Sequence, residues 1–152
     1  MAMRLGTALP SLAGATEWLG EAVDRDALVG APTLVHFWAV SCYLCKGNYP
    51  TIRGWHEEFS DKGLRVIAVH MPRQEEDLDA ARVKEVAAQL NLTEPCALDN
   101  QHAVKDAFEN TESWVPAYFL FNAAGVLKSR TAGESGLTMM RGALERVIAE
   151  VA

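Results

Sequence analysis

Residues 38–46 read WAVSCYLCK and contain two of the chain's three cysteines, Cys42 and Cys45. Such a pair can be a redox dithiol, half of a metal site, or two small buried side chains. The apolar run TLVHFWA at 33–39 precedes the pair and is typical of a buried strand. The residues that follow, up to Phe59, carry apolar side chains at helical spacing. The cysteines therefore lie where a strand ends and a helix begins.

The position of Cys42 at a helix start has chemical consequences. One helical turn brings Cα atoms three residues apart to about 5–6 Å, within the range that a disulfide spans. A sulfur at a helix N-terminus meets unpaired backbone N–H groups and the positive end of the helix dipole, which lower the pKa of a thiol. We therefore expect Cys42 to be the more exposed thiol and the nucleophile. Cys45, one turn deeper, is then the resolving thiol.

The rest of the chain alternates predicted strands and helices. Further strands are predicted at 64–71, 96–98, 117–122 and 126–131, and further helices at 79–90, 103–109 and 137–149. Pro50 is expected to bend or break the first helix. This order predicts an α/β fold whose central mixed β-sheet is flanked by helices on both faces. In such sheets, sites form at the carboxyl ends of the strands, where Cys42 lies.

Composition narrows the class of protein. With 152 residues and 49% hydrophobic content, the chain is expected to form a single domain over 1–152. The net charge of −6 argues against a nucleic-acid partner. We expect no membrane span, because no run reaches about 18 apolar residues. No signal peptide is visible, so we expect a cytoplasmic protein, or a periplasmic or other extracytoplasmic one if a leader has been removed.

The residues around the cysteine pair resemble a known active site. The pattern Phe-Trp-Ala-x-x-Cys-x-x-Cys-Lys at 37–46 is similar to the Trp-Cys-x-x-Cys-Lys motif of the thioredoxin superfamily. The segment WVPAYFLFN at 114–122, with Gly125 and Gly133 after it, most resembles DipZ-type members of the TlpA-like branch. The resemblance covers about 25–150. It implies a thioredoxin-like fold and a monomeric thiol–disulfide oxidoreductase that needs no cofactor. Its partners would be protein dithiols or disulfides and an upstream redox partner.

The resemblance also implies substrate-binding residues. In the superfamily the proline matching Pro116 follows a cis peptide bond and faces the dithiol. The preceding residue, here Val115, offers backbone groups to an extended substrate. By the same resemblance Trp38 packs beside the dithiol and Trp114 lines the binding groove, although plain core packing explains either tryptophan equally well.

Two acidic residues of the family pattern are missing. His36 occupies the strand position of the buried aspartate of thioredoxins, and Asn48 replaces a glutamate that TlpA-like reductases often carry. A neutral imidazole at position 36 could accept the proton of Cys45; the alternative is a core histidine hydrogen-bonded to backbone. Glu134 lies in a loop expected near the site and is more typical of a solvated residue. Cys96 is expected to be buried and inert.

Three other functions would each need different residues. A thiol peroxidase of this superfamily needs Pro-x-x-x-Thr/Ser-x-x-Cys; Cys96 has Thr93 at the right spacing, but Gln89 replaces the proline. A structural zinc site needs two further ligands in a close pair, and Cys96 and His102, separated by five residues, do not belong to one. We therefore expect no metal. A non-catalytic binding module would not need an intact dithiol. The sequence therefore favours disulfide exchange through Cys42 and Cys45.

Overall fold

The computed structural model describes residues 2–151. Its strands are β1 (Glu17–Leu19), β2 (Thr33–Trp38), β3 (Arg65–His70), β4 (Cys96–Leu98), β5 (Ala117–Phe121) and β6 (Leu127–Ala132). Its helices are α1 (Arg25–Leu28), α2 (Tyr43–Phe59), α3 (Ala80–Gln89), α4 (Ala103–Ala107) and α5 (Gly136–Ala149). The predicted alternation of strands and helices is confirmed, with small shifts of the element boundaries.

The strands form one six-stranded mixed sheet in the order β1-β4-β3-β2-β5-β6. The three central strands β2, β3 and β4 are parallel, and the β5–β6 hairpin adds two antiparallel strands beside β2. The sequence did not predict β1, which pairs antiparallel with β4. With three residues, β1 is too short to show the alternation that reveals a strand.

Side chains of β2 alternate between two hydrophobic layers. Val35 and Phe37 pack with α1, α4 and the segment before β1, whose Met3, Leu9 and Leu12 are buried. Leu34 and Trp38 face the opposite layer, which contains α2, α3 and α5. Helices therefore cover both faces, as predicted. His36 lies between Leu34 and Trp38 on the side of α2, which places it beneath the dithiol.

The predicted break at Pro50 is wrong, because α2 continues through this residue from Tyr43 to Phe59; a bend there stays a prediction. Proline removes one backbone hydrogen bond of a helix. The apolar face of α2 spans that position and is buried on both sides of it, with Tyr49 before and Ile52 after. Tertiary packing of this face outweighs the lost hydrogen bond and keeps Tyr49 and Ile52 on one continuous helix.

Candidate active site

The two cysteines form a disulfide at the start of α2. Cys42 is the N-cap residue, and the backbone N–H of Cys45 donates to its Sγ at 3.1 Å. The Cα atoms are 5.3 Å apart, within the expected range. The sulfur of Cys42 therefore accepts a hydrogen bond from the first turn of the helix, which favours a thiolate there once the disulfide is reduced.

The expectation that Cys42 is more exposed is wrong for this disulfide form. Cys42 is 3% exposed and Cys45 is 5% exposed, because both pack in one cluster with Trp38 at the end of β2. The exposed side chains are the two between them, with Tyr43 at 86% and Leu44 at 37%. The assignment of the nucleophile therefore rests on the N-cap position of Cys42.

Two buried polar side chains hold the loop that leads into Cys42. The backbone N–H of Val40 donates to Nε2 of His70 at 3.1 Å. Burial lowers the pKa of His70 to about 4, so its imidazole is neutral and can accept. Ser41 donates its backbone N–H and its hydroxyl to Asp77, at 3.1 and 2.7 Å. Neither His70 nor Asp77 was predicted, since both lie outside the cysteine motif.

A carboxylate that the sequence analysis missed lies beside His36. Nε2 of His36 is 2.7 Å from Oε2 of Glu94, and the Tyr49 hydroxyl donates to Oε1 at 2.5 Å. The bonded partner of this core histidine is thus a carboxylate and not the backbone, and its catalytic role stays a prediction. Burial alone would raise the pKa of Glu94, but the hydrogen bond and charge of His36 and the bond from Tyr49 lower it below its ordinary value. The signal in the sequence was an acidic residue two positions before the buried strand β4.

Asn48, which replaces the glutamate of related reductases, binds a different partner. Its Nδ2 donates to the hydroxyl of Tyr118 at 2.9 Å. Burial raises the pKa of Tyr118 to about 12, so its hydroxyl stays protonated. Tyr118 lies opposite His36 in the β2–β5 pairing, so Asn48 ties α2 to the strand that carries this tyrosine.

A small cavity joins the dithiol to the buried polar groups. Its volume is about 10 Å³, and Cys45, His36, Tyr49, Pro116 and Tyr118 are among its lining residues. This volume is close to the space that one water molecule needs. The cavity therefore places Cys45 and His36 around a shared space.

The predicted substrate-binding residues occupy different environments. The Val115–Pro116 peptide bond is cis, and Pro116 lines the cavity beside Cys45. Val115 is half-buried against the cluster that contains both cysteines. Trp114 is 49% exposed, whereas Trp38 is buried against His70, with 4.9 Å between the ring centroids. A direct substrate contact thus remains a prediction for all four residues.

The other singled-out residues lie apart from this cavity. Glu134 is exposed between β6 and α5. Cys96 is fully buried, and burial raises the pKa of its thiol to about 12, which makes it a poor nucleophile. Within residues 2–151, no group of three or more His, Cys, Asp and Glu side chains could hold a metal ion. Over the same residues, no helix is long and apolar enough to cross a membrane.

A dithiol at the N-terminus of a helix, directly after a central parallel strand, is the site of a thioredoxin-like thiol–disulfide oxidoreductase. The chain belongs to the AhpC/TSA family, whose model matches residues 5–130. The match includes β1 and the segment before it, which precede the expected core of about 25–150. The leading segment is therefore part of the family's fold.

Known proteins agree with this assignment. The thiol–disulfide oxidoreductase YkuV of Bacillus subtilis (strain 168) is 44% identical over 149 residues, which are 97% of this chain and 99% of YkuV. The protein DipZ of Mycobacterium bovis is 37% identical over 85% of this chain, which spans 19% of DipZ. These relatives support the predicted TlpA-like branch and confirm that the chain is a thiol–disulfide oxidoreductase.

Solved structures confirm the thioredoxin-like fold. The solution structure of a thioredoxin-like protein in the oxidised form is 44% identical, with a TM-score of 0.87 over 97% of this chain and 99% of that one. A thiol:disulfide interchange protein from Bacteroides sp. is 22% identical and has a TM-score of 0.73, covering 98% of this chain and 93% of that one. The second likeness supports the fold alone.

Proposed function

We propose that this oxidoreductase acts as a monomer on protein disulfides, with Cys42 as the nucleophile and Cys45 as the resolving thiol. The observation that carries the proposal is the Cys42 sulfur at the N-cap of α2. The Cys42 thiolate attacks a partner disulfide, forms a mixed disulfide and releases the first partner thiolate. Cys45 then attacks the sulfur of Cys42 and releases the second partner thiolate. Two electrons pass from the dithiol to the partner, and an upstream dithiol partner restores them.

The surface around the disulfide supports a polypeptide substrate. Tyr43 and Leu44, which separate the two cysteines, are large exposed hydrophobic side chains, and the exposed Trp114 precedes Val115 in the chain. Exposed apolar groups beside a reactive centre are typical of protein-binding surfaces. A groove of about 560 Å³ extends from Ser41 and Tyr43, and its charged lining residues are Lys46, Glu76, Asp79 and Arg82. Apolar contacts beside charged ones suit an extended polypeptide better than a small polar disulfide.

His36 is proposed as the base that takes the proton of Cys45. The support is the shared cavity between the two residues and the position of His36 on the sheet face covered by α2. A resolving thiol must lose its proton before it can attack, and a positioned imidazole can accept it. Pro116 and Val115 are proposed to hold the substrate backbone beside this centre, with Trp114 as its exposed apolar contact.

The Cys45→Ser variant tests the exchange reaction. Without a resolving thiol, mixed disulfides on Cys42 should accumulate, because nothing releases the partner. The variant is incubated with oxidised cell extract, and the adducts are separated without reductant and identified by mass spectrometry. The control is Cys42→Ser under the same conditions. Equal adduct yields from both variants would show that Cys42 is not the attacking thiol.

A further inference from the structure

Glu94 is a buried carboxylate next to the dithiol that the proposed reaction does not use. Its side chain is 1% exposed, and its two oxygens contact His36 and Tyr49. Neither contact is local, since His36 lies 58 residues and Tyr49 45 residues away along the chain. Burying a carboxylate is costly unless its charge is paired and hydrogen-bonded, which makes the arrangement informative about function.

The two contacts determine where the protons lie. Because the pKa of Glu94 is lowered, its carboxylate is ionised and can only accept hydrogen bonds. Burial raises the pKa of Tyr49, so this hydroxyl keeps its proton and donates it to Oε1. Nε2 of His36 must then carry the hydrogen that points to Oε2. When the imidazole carries this one hydrogen, its lone pair is on Nδ1.

The resolving thiol lies on the same side of the sheet as this imidazole. Cys45 and Tyr49 are one turn apart on α2, so their side chains project from the same face of the helix. Tyr49 reaches Glu94, and its ring centroid is 5.7 Å from that of His36. Cys45 and His36 both line the cavity of about 10 Å³. A cavity of this volume holds one water molecule, which can carry a proton between the two side chains.

We propose that Glu94 is a positioning residue for the resolving step: it holds the imidazole of His36 so that Nδ1 accepts the proton of Cys45. This inference rests on the proposed exchange reaction. The Cys45 thiol gives its proton to His36, and the resulting thiolate attacks Sγ of Cys42. The disulfide between Cys42 and the partner breaks, and the partner leaves as a thiolate. The carboxylate of Glu94 stabilises the imidazolium until that proton leaves with the product.

The other groups around His36 do not replace Glu94 in this role. From α2, Tyr49 presents a protonated hydroxyl that is already bonded to Glu94. From β5, Tyr118 presents a protonated hydroxyl that accepts from Asn48. Arg53, one turn beyond Tyr49, donates to the carbonyl of Leu90 at 3.3 Å. Among residues 2–151, Glu94 is the carboxylate within hydrogen-bonding distance of the imidazole.

The test separates the two thiol steps in the Glu94→Gln variant. Reduced protein is mixed with an aromatic disulfide that releases a coloured thiolate. The first release reports attack by Cys42, and its rate is proportional to the reagent concentration. The second release reports attack by Cys45, and its rate is independent of that concentration. At pH 7 the second step should slow about 10-fold or more, less than the roughly 100-fold that loss of a whole general base can cost. The first step should stay within about twofold of wild type, because Glu94 does not contact Cys42.

The pH profile distinguishes a positioning role from simple damage to packing. The deficit of Glu94→Gln should shrink above about pH 8.5, where a thiol begins to ionise without a base. A deficit that stays constant over the whole pH range would overturn the inference, as would an unchanged second step. The matched control is Glu57→Gln, the same change on an exposed position of α2, which should leave both steps unaltered. If wild type shows neither release, the proposed exchange reaction fails instead.

A measurement on the unmodified protein covers the case in which Glu94→Gln does not fold. Nitrogen NMR of the reduced wild-type protein at pH 7 reports which imidazole nitrogens carry hydrogen. The inference requires His36 to be protonated at Nε2 and unprotonated at Nδ1. A His36 that carries its hydrogen on Nδ1, or on both nitrogens, would have no lone pair facing Cys45 and would overturn it.

Discussion

Replacing Asp77 with alanine should destabilise the protein by about 3 kcal/mol. The buried carboxylate accepts four hydrogen bonds, two from Ser41 and one each from the backbone N–H groups of Arg73 and Gln74. A net contribution of about 1 kcal/mol for each bond gives about 4 kcal/mol in total. Arg73 and Gln74 are exposed, so water can replace the hydrogen bonds of their backbone N–H groups in the variant and recover part of this free energy. The remaining loss is large because Ser41 and the loop before Cys42 lose their anchor.

The pH dependence of this loss has a definite sign. Burial alone would raise the pKa of Asp77, but the hydrogen bonds from Arg73, Ser41 and Gln74 lower it below its ordinary value. A lowered folded-state pKa contributes stability that is fully present above the unfolded value of about 3.9. This stability is lost as the pH falls through the folded-state value. The difference between wild type and Asp77→Ala should therefore be constant near neutral pH and shrink below about pH 4.

Urea unfolding, followed by tryptophan fluorescence between pH 3 and pH 7, measures this difference. The control is Asp79→Ala, which removes the N-cap of α3 and its bonds to Ala81 and Arg82. Loss of an ordinary N-cap costs about 1 kcal/mol. A loss for Asp77→Ala no larger than for Asp79→Ala would refute the anchoring role. A difference that grows as the pH falls would refute the assigned pKa direction.

Two further predictions concern the cysteines. In the reduced protein, iodoacetamide applied over a range of pH should alkylate Cys42 first, because the start of α2 favours its thiolate. Peptide mass spectrometry identifies the labelled site. Earlier labelling of Cys45 would reverse the two roles. Cys96→Ala should leave disulfide exchange unchanged and cost about 1 kcal/mol of stability, since this thiol is fully buried and its pKa is raised to about 12. Loss of exchange activity in a folded Cys96→Ala variant would show that the third thiol takes part.

Much of the site could be predicted because its signals are local in the chain. The spacing of Cys42 and Cys45 after an apolar run placed the dithiol at a strand-to-helix boundary, and the structure agrees. The Val115–Pro116 pair could be matched to a known motif because its two residues are neighbours in the chain. The relative exposure of the two cysteines could not be predicted from the sequence, since it depends on how the end of β2 packs over the disulfide.

The sequence by itself determined the α/β class, the order of the central elements and the reactive pair, because periodicity and motif spacing are properties of neighbouring residues. Only the tertiary structure decided the surroundings of that pair. Glu94 reaches His36 from 58 residues away, and Asp77 reaches Ser41 from 36 residues away. The sheet order brings these distant residues together in space, because it places β2, β3 and β4 side by side. No local pattern encodes such a contact, since each forms only when the layers pack and bury both partners.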